Sequence, residues 1–264
     1  MTITRFAPSP TGFLHLGHAY AAKVAYEKAK QNGGTFLLRF EDIDHTRVRP
    51  EYYEAIEEDL RWLGFPWDGI PVKQIDRSNL YEEAFTKLKG LDILYPCYCT
   101  RREIWNAANA PQGSPAPLYP GTCREGGIPK GEPSWRLDTK KAAALTGPLT
   151  FNEEIEVDPH LLGDVVLARR DIATSYHLAV VVDDAAQGIT HVTRGEDLLS
   201  STHIHRTLQA LLELPEPSYV HHPLICDALG ERLAKRNDSL SIRELRNQGK
   251  TRAEVLAMCS PNQT

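Results

Sequence analysis

Two histidines and three cysteines are the first residues whose type and spacing suggest chemistry. His15 and His18 flank Leu16 and Gly17, directly after the turn-forming series Pro8, Ser9, Pro10, Thr11 and Gly12. Backbone N–H groups at the start of a helix attract anions, and phosphate is the usual guest. Two imidazoles one turn apart can donate to phosphate oxygens from one side, and a glycine between them lets a sugar or a flat ring approach the backbone closely. Four letters alone would also suit a merely structural turn. Their place at the first strand-to-helix turn makes nucleotide phosphate the better reading, with His15, Gly17 and His18 as the contacts.

Cys97 and Cys99 are separated by a single tyrosine, and Cys123 follows in the same loop-rich stretch, whereas Cys226 and Cys259 stand alone. An odd total of five cysteines argues against a disulfide framework, and a clustered triplet in a reducing compartment points to metal. The competing reading is three free thiols in a loop. Structural zinc takes four thiolate, imidazole or oxygen ligands in a closed tetrahedron. No histidine lies between Cys99 and Cys123, so the fourth ligand must be an oxygen, with Glu103, Glu125 and Tyr119 as candidates.

The elements that must position these groups read as follows. Thr2 to Ala7 is a short strand, and the alanine-rich run from Leu16 to about Lys30 is a helix stopped by Asn32, Gly33 and Gly34. Thr35 to Phe40 is a buried strand. Pro50 opens a helix in which Tyr53, Ile56, Leu60 and Leu63 recur at helical spacing until Gly64. A third helix starts near Asn79, with Ser78 as its cap and Tyr81, Ala84, Phe85 and Leu88 on its apolar face. Alternation of strand and helix is the opening of a parallel α/β sheet. Residues 95–135 lose this periodicity in favour of Pro, Gly and Cys, so a module there needs a staple, for which metal suffices. Asp164 to Leu167 and Ile189 to Arg194 read as strands, Leu178 to Val182 as strand or buried helix, and Ser201 to Leu212 as a helix.

The chain has 264 residues, 41% of them hydrophobic and 25% charged, which fits one large or two small globular domains. No apolar run is long enough to span a bilayer, and the N-terminus lacks a basic region followed by an apolar stretch, so a cytoplasmic protein without membrane contact is expected. A net charge of −5 argues against indiscriminate binding of polyanions. One local exception runs from Arg232 to Arg252, where seven Lys/Arg face two acidic residues; it reads either as a solvated charged face or as a contact for nucleic-acid phosphates.

Three separated blocks carry a family resemblance. Arg5 to His18 resembles the HIGH region of class I aminoacyl-tRNA synthetases, specifically the glutamyl branch, and Phe40 to Arg47 and Gly188 to Leu199 resemble that branch in the same order. Arg232-Leu-Ala-Lys235-Arg236 resembles their KMSKS loop in degenerate form, with Lys235 in the place of the second lysine. The resemblance implies an α/β fold with a Rossmann-type parallel sheet and an inserted zinc-bearing α/β module. Residues 1–75 and 171–240 would form the halves of the catalytic domain, residues 76–170 the insert with its zinc site at about 95–124, and residues 241–264 a short helical tail. It also implies site roles. His15, His18 and Lys235 would be catalytic and, with Gly17, bind ATP, accompanied by Mg²⁺. Glu41 and Ser9 would hold the ammonium of L-glutamate, and Arg5, Arg194 and the Tyr176 hydroxyl its side-chain carboxylate. Arg suits such a group because its fork matches carboxylate geometry. Tyr119 would complete the set Cys97, Cys99 and Cys123 around one structural zinc per chain.

A full glutamyl-type synthetase continues into helical anticodon-binding domains, whereas here only 28 residues follow Arg236. A free-standing core of this kind resembles the sub-branch that activates glutamate without tRNA and transfers it to the queuosine base in the anticodon loop of tRNA(Asp). A monomer is expected. The rivals are a shortened synthetase that loads the tRNA 3′ end, a ligase that makes a small thiol precursor, and a non-catalytic nucleic-acid-binding remnant. Arg5 and Arg194 count against the thiol-precursor ligase. Retention of His15, His18, Glu41 and Lys235 together counts against the remnant.

Overall fold

Thr4, Arg5 and Phe6 are all buried, as in a strand covered on both faces. This strand, β1 (Ile3–Phe6), leads through α1 (Leu16–Lys30) to β2 (Thr35–Phe40), and the two pair in parallel with Arg5 opposite Leu37. The computed structural model describes residues 1–31, 33–108, 117–225 and 241–259. After β2 come α2 (Pro50–Leu63) and β3 (Val72–Lys73), which extends the parallel sheet at the far end of β2. Proline at the first helical position and Gly64 in the left-handed region (φ 75°) mark the two ends of α2.

A 3-10 turn over Gln74–Arg77 then runs into α3 (Ser78–Gly90), followed by β4 (Leu94–Cys97), α4 (Arg101–Ala107), β5 (Ser134–Leu137), α5 (Thr139–Thr146), the two-residue strands β6 (Thr150–Phe151) and β7 (Ile155–Glu156), and β8 (Val166–Ala168). Ser78 does not cap α3: the cap position is Arg77, without a side-chain bond, because the chain already turns helically where a cap would have to be extended. The ambiguous run Leu178 to Val182 lies inside α6 (Tyr176–Ala186), where seven successive buried residues, from Leu178 to Asp184, explain why periodicity could not decide. The chain continues with β9 (His191–Gly195), α7 (Leu199–Leu212), β10 (Ser218–His222), α8 (Ile242–Asn247) and α9 (Arg252–Met258).

These elements form two compact units. The first comprises residues 1–76, 188–199 and 217–264. Its parallel pairs are β1–β2, β2–β3 and β9–β10. The Thr190 N–H donates to the Ile3 carbonyl at 3.0 Å and the Ile3 N–H to the Thr190 hydroxyl at 2.8 Å, which ties the approach to β9 against β1. Its core joins Phe36, Leu38 and Phe40 of β2, the alanine face of α1, Ile56, Leu60 and Leu63 of α2, and Ile242, Leu245 and Val255 of α8 and α9. The second unit comprises residues 77–187 and 200–216, with an antiparallel sheet in the order β4-β5-β8 and the β6–β7 hairpin. Buried Asp183 of α6 fastens it to α3 by accepting from Arg77 Nε at 2.6 Å and from the Tyr81 hydroxyl at 2.9 Å. The fold is therefore α/β, with a parallel sheet in one unit and a mixed α/β module in the other. No described helix is long and apolar enough to cross a membrane.

Where α1 turns into β2, the chain passes over the start of β1. The Gly34 N–H bonds to the Ala29 carbonyl at 2.8 Å, and a Cβ at Gly34 would run into the backbone carbonyl of Thr2. Gly69 has a positive φ of 74° but nothing near its would-be Cβ. Gly34→Ala should therefore lose stability on the scale of overpacking, about 2 kcal/mol or more, against about 1 kcal/mol for Gly69→Ala. Thermal unfolding checks the ranking; an equal loss in both variants would contradict the packing at Thr2.

Candidate active site and metal centre

His15 is the N-cap of α1, in extended conformation. Its Nδ1 accepts from the Gly17 N–H at 3.1 Å, and the His15 N–H donates to His18 Nδ1 at 3.3 Å. The rings stack with centroids 3.8 Å apart. Each Nδ1 is thus an acceptor, so the neutral rings carry their proton on Nε2 and present Nε2–H as donors. The two imidazoles share one helix terminus, whose positive dipole end suits phosphate.

Lys235 lies outside the described residues, as does the whole lysine motif. The chain on either side of it is moored in the first unit near the same helix end. Ser241 forms an antiparallel bridge with His15, and the Ile242 N–H donates to the Leu14 carbonyl at 2.8 Å. On the other side His222 meets the Tyr20 ring edge-on at 5.0 Å, and Ile225 is buried in the core.

Arg5 and Arg194 are both buried, on β1 and β9. Arg5 Nη1 donates to the Thr193 carbonyl at 3.2 Å, so the two arginines belong to adjoining backbone segments. The Arg194 guanidinium faces the Tyr219 ring at 5.2 Å. Glu41 follows β2 directly. Its N–H donates to the Pro8 carbonyl at 3.0 Å, which brings it beside Ser9, an exposed residue of the first turn. Its carboxylate lies 3.5 Å from Nη2 of Arg39, a fully buried cation of β2 that motif reading passed over. The only trace of Arg39 in the sequence is a charge inside an apolar strand. The first unit therefore brings Arg5, Ser9, Glu41, Arg194, His15, Gly17 and His18 onto the turns and strands around β1. Tyr176 belongs to the second unit, where it opens α6 with its ring 5.5 Å from that of His205.

The second centre sits in the second unit. The sulfurs of Cys97, Cys99 and Cys123 all lie within 4.8 Å of one another, with Cys99 and Cys123 at 3.5 Å. The Tyr119 hydroxyl is 3.4 Å from Cys97 Sγ and 3.6 Å from Cys99 Sγ, and accepts from the Cys123 N–H at 2.9 Å. A tetrahedron built on Zn–S bonds of about 2.3 Å has edges of about 3.8 Å, so three sulfurs and one phenol oxygen at these separations fit a zinc ion. The other two oxygen candidates are elsewhere: Glu103 caps α4 through Thr100 and pairs with Lys130 at 3.0 Å, and Glu125 is exposed. Burial, followed by crowding with its neighbours, pushes the Cys99 thiol up to about 11, and burial likewise raises Tyr119. Burial also opposes ionisation of Cys123, but hydrogen bonds from the Tyr119 hydroxyl and the Tyr98 N–H outweigh it and lower that thiol. A cation would reverse the penalty on the charged forms.

Asp164, buried just before β8, holds the module together. It accepts from the Tyr95 hydroxyl, from Arg124 Nε at 2.9 Å and from the Thr139 hydroxyl at 2.9 Å, while Arg136 Nη1 donates to its backbone carbonyl at 2.6 Å. Nothing in its one-dimensional context singles it out.

Within the basic stretch from Arg232 to Arg252, described residues beyond position 240 are held by carboxylates. Arg246 is held by Glu58 at 2.8 Å and Asp59 at 3.0 Å, Arg243 by Glu58 at 3.5 Å, and Lys250 by Glu254 at 4.0 Å. Its described members are thus engaged largely within the first unit, because α8 packs its arginines on the acidic face of α2.

With this geometry in place, the chain can be set beside known proteins. The family described as tRNA synthetases class I (E and Q), catalytic domain, matches residues 1–260, and the chain belongs to that family. A relative named glutamyl-Q tRNA(Asp) synthetase from Rhodobacter capsulatus is 49% identical, the match covering 96% of this chain and 98% of the relative. Another of that name, from Nitratidesulfovibrio vulgaris, is 44% identical over 95% of this chain and 83% of its own length. Among solved structures, the glutamate-tRNA synthetase of Elizabethkingia anophelis superposes with a TM-score of 0.72 at 28% identity; the match covers 94% of this chain but only 54% of that one. The chain is thus a synthetase-type ligase that spans about half the length of the solved synthetase it matches.

Asp164 yields a prediction for the module. Burial pushes its carboxyl upward, but the hydrogen bonds from Tyr95, Arg124 and Thr139 outweigh this and leave the pKa below the ordinary carboxylate value. Its stabilisation is therefore complete above the unfolded pKa and is lost as pH falls through the lowered folded one. Asp164→Asn leaves the half-buried Arg124 without its charged partner and should cost about 1–3 kcal/mol at neutral pH. Thermal melts between neutral pH and pH 3 should show the gap between wild type and variant narrowing with acid; a constant gap would show that charge is not what Asp164 contributes.

Proposed function

We propose that the chain activates L-glutamate with ATP and transfers it to the queuosine base in the anticodon loop of tRNA(Asp), as a glutamyl-Q tRNA(Asp) synthetase. The observation that carries this reading is the clustering of the His15–His18 helix cap, buried Arg5 and Arg194, and Glu41 around one strand, in a chain that matches a relative of that name over 98% of its length.

In this reading Glu41 and Ser9 hold the ammonium of glutamate, and Arg5 and Arg194 hold its side-chain carboxylate; the resemblance adds the Tyr176 hydroxyl to them. The α-carboxylate attacks the α-phosphorus of ATP in line. A new O–P bond forms, the bond to the β-phosphate oxygen breaks, and pyrophosphate leaves. The Nε2–H groups of His15 and His18 donate to the phosphate oxygens, and Lys235 adds an ammonium to the same charge. ATP would bring Mg²⁺ with it. A hydroxyl of the queuosine ring then attacks the carbonyl of glutamyl-adenylate, and AMP departs as the hydroxyl gives up its proton. No covalent enzyme intermediate is involved, and the rate comes from positioning and from donors fixed before the charge develops. Zinc held by Cys97, Cys99, Tyr119 and Cys123 supplies no step; it closes a small module whose own core is thin. The proposed setting is a cytoplasmic monomer.

ATP–pyrophosphate exchange with glutamate tests the reading. Exchange should proceed without tRNA, and radiolabelled glutamate should appear on queuosine-bearing tRNA(Asp) with its 3′ end blocked. Exchange that requires tRNA would favour loading of the 3′ end, and none under either condition would favour a non-catalytic protein. Within the pocket, Arg194→Gln should lower kcat/KM for glutamate by about ten- to a hundredfold, the worth of a hydrogen bond between charged groups. It should narrow the preference for glutamate over glutamine, because a neutral amide no longer leaves a buried guanidinium unmatched.

A further inference from the structure

The sequence gives no reason to look at Arg136, and the site roles argued above do not use it. It sits in the middle strand of the antiparallel sheet, opposite Tyr95 on one side and Val166 on the other. Its guanidinium lies 3.8 Å from the centre of the Tyr119 ring, the closest approach of a described cation to an aromatic ring in the chain. Its Nη1 donates to the backbone carbonyl of Asp164 at 2.6 Å, a neutral acceptor, and its Nε is buried with no hydrogen-bond partner. The nearby carboxylate of Asp164 is taken by Arg124, and among the described residues no carboxylate forms an ion pair with Arg136. A half-buried guanidinium with one carbonyl bond and a buried, unbonded Nε is incompletely matched by its neighbours.

A metal centre resolves the imbalance. Three thiolates outweigh the two charges of a zinc ion, so the loaded centre is anionic before any ionisation of the phenol. Such a centre needs a countercharge that does not compete for the metal, and a guanidinium stacked on the face of the phenol ring supplies one while holding the ring in place. We propose that Arg136 is the positioning residue and countercharge of the cysteine–tyrosine metal centre, set on the ring of Tyr119 to favour the loaded over the metal-free state. This rests on the metal-binding part of the proposed function.

The decisive comparison is between the loaded and metal-free protein. For wild type, Arg136→Gln and Arg136→Lys, zinc affinity is measured by competition with a chromogenic chelator, and thermal unfolding is followed with and without zinc. Arg136→Gln should weaken zinc binding about tenfold or more, and Arg136→Lys less, because it keeps the charge and loses the planar stack. Without metal, Arg136→Gln should melt at or above the wild-type temperature, since it removes a half-buried cation that is incompletely matched. Cobalt substitution adds a spectroscopic readout: the absorption bands of the wild-type cobalt site should shift in Arg136→Gln. Unchanged zinc affinity in Arg136→Gln would overturn the proposal. So would an equal drop in melting temperature with and without metal, which would mark Arg136 as an ordinary packing residue. A wild-type protein that binds no zinc would instead remove the metal reading itself, a result distinct from either.

Discussion

The first unit depends on one constraint: β1 is held between segments far apart in the chain. On one side it pairs with β2, about thirty residues on. On the other it meets residues around Thr190 and Thr193, almost two hundred residues away. Loop closure over such separations is slow and entropically unfavourable, so the contact needs dense support. The support is visible in the layer of buried alanines on α1, which lets the helix lie close to the sheet, and in Gly34, where the return of the chain leaves no room for a side chain. Because β1 is fixed, so is the turn after it, and with the turn the cap that joins His15 to His18.

This arrangement explains which parts of the molecule were legible in the sequence. Local signals gave α1 at its observed limits, β2, and α2 with its proline start and glycine stop, since each rests on periodicity and on end residues that act within one turn. The histidine pair was legible for the same reason: cap and helix are neighbours in the chain. The contacts of Arg39 and Arg136 were not, because a cation set in a strand is explained only by what lies across the sheet, and that partner is set by topology. Ser78 was misread as a cap because the preceding 3-10 turn, Gln74–Arg77, has no strong sequence mark. The engagement of Arg243 and Arg246 was not legible either, since the acidic face of α2 that meets them is far away in the chain.

The second unit solves a different problem. Around its cysteine loop the packed cluster is small, formed by Tyr95, Cys97, Tyr119 and Cys123 with Cys99 and Ile104 against them. So small an apolar cluster does not readily offset the ordering of the loops around it. Buried polar hubs take over. Asp164 collects bonds from β4, from the cysteine loop and from the start of α5, and Asp183 joins α3 to α6. Such hubs are demanding, because a buried carboxylate must be matched nearly completely, but they specify one arrangement where greasy contacts would tolerate several.

The cysteine cluster belongs to the same economy of charge. Phenol is a poor oxygen ligand by its ordinary acidity, and Glu103, a better one, is close in sequence. The structure spends Glu103 on the cap of α4, where two bonds from Thr100 and one ion pair with Lys130 hold it on the surface. A carboxylate that is already satisfied gains little from a metal, whereas a buried hydroxyl that faces two sulfurs gains a great deal. In the proposed zinc site, tyrosine suits the fourth place through its lack of better uses, together with a flat ring on which Arg136 can rest. Spacing alone leaves three oxygen donors in contention; the engagement of Glu103 and the place of the Tyr119 hydroxyl beside two sulfurs favour the phenol in the proposed site.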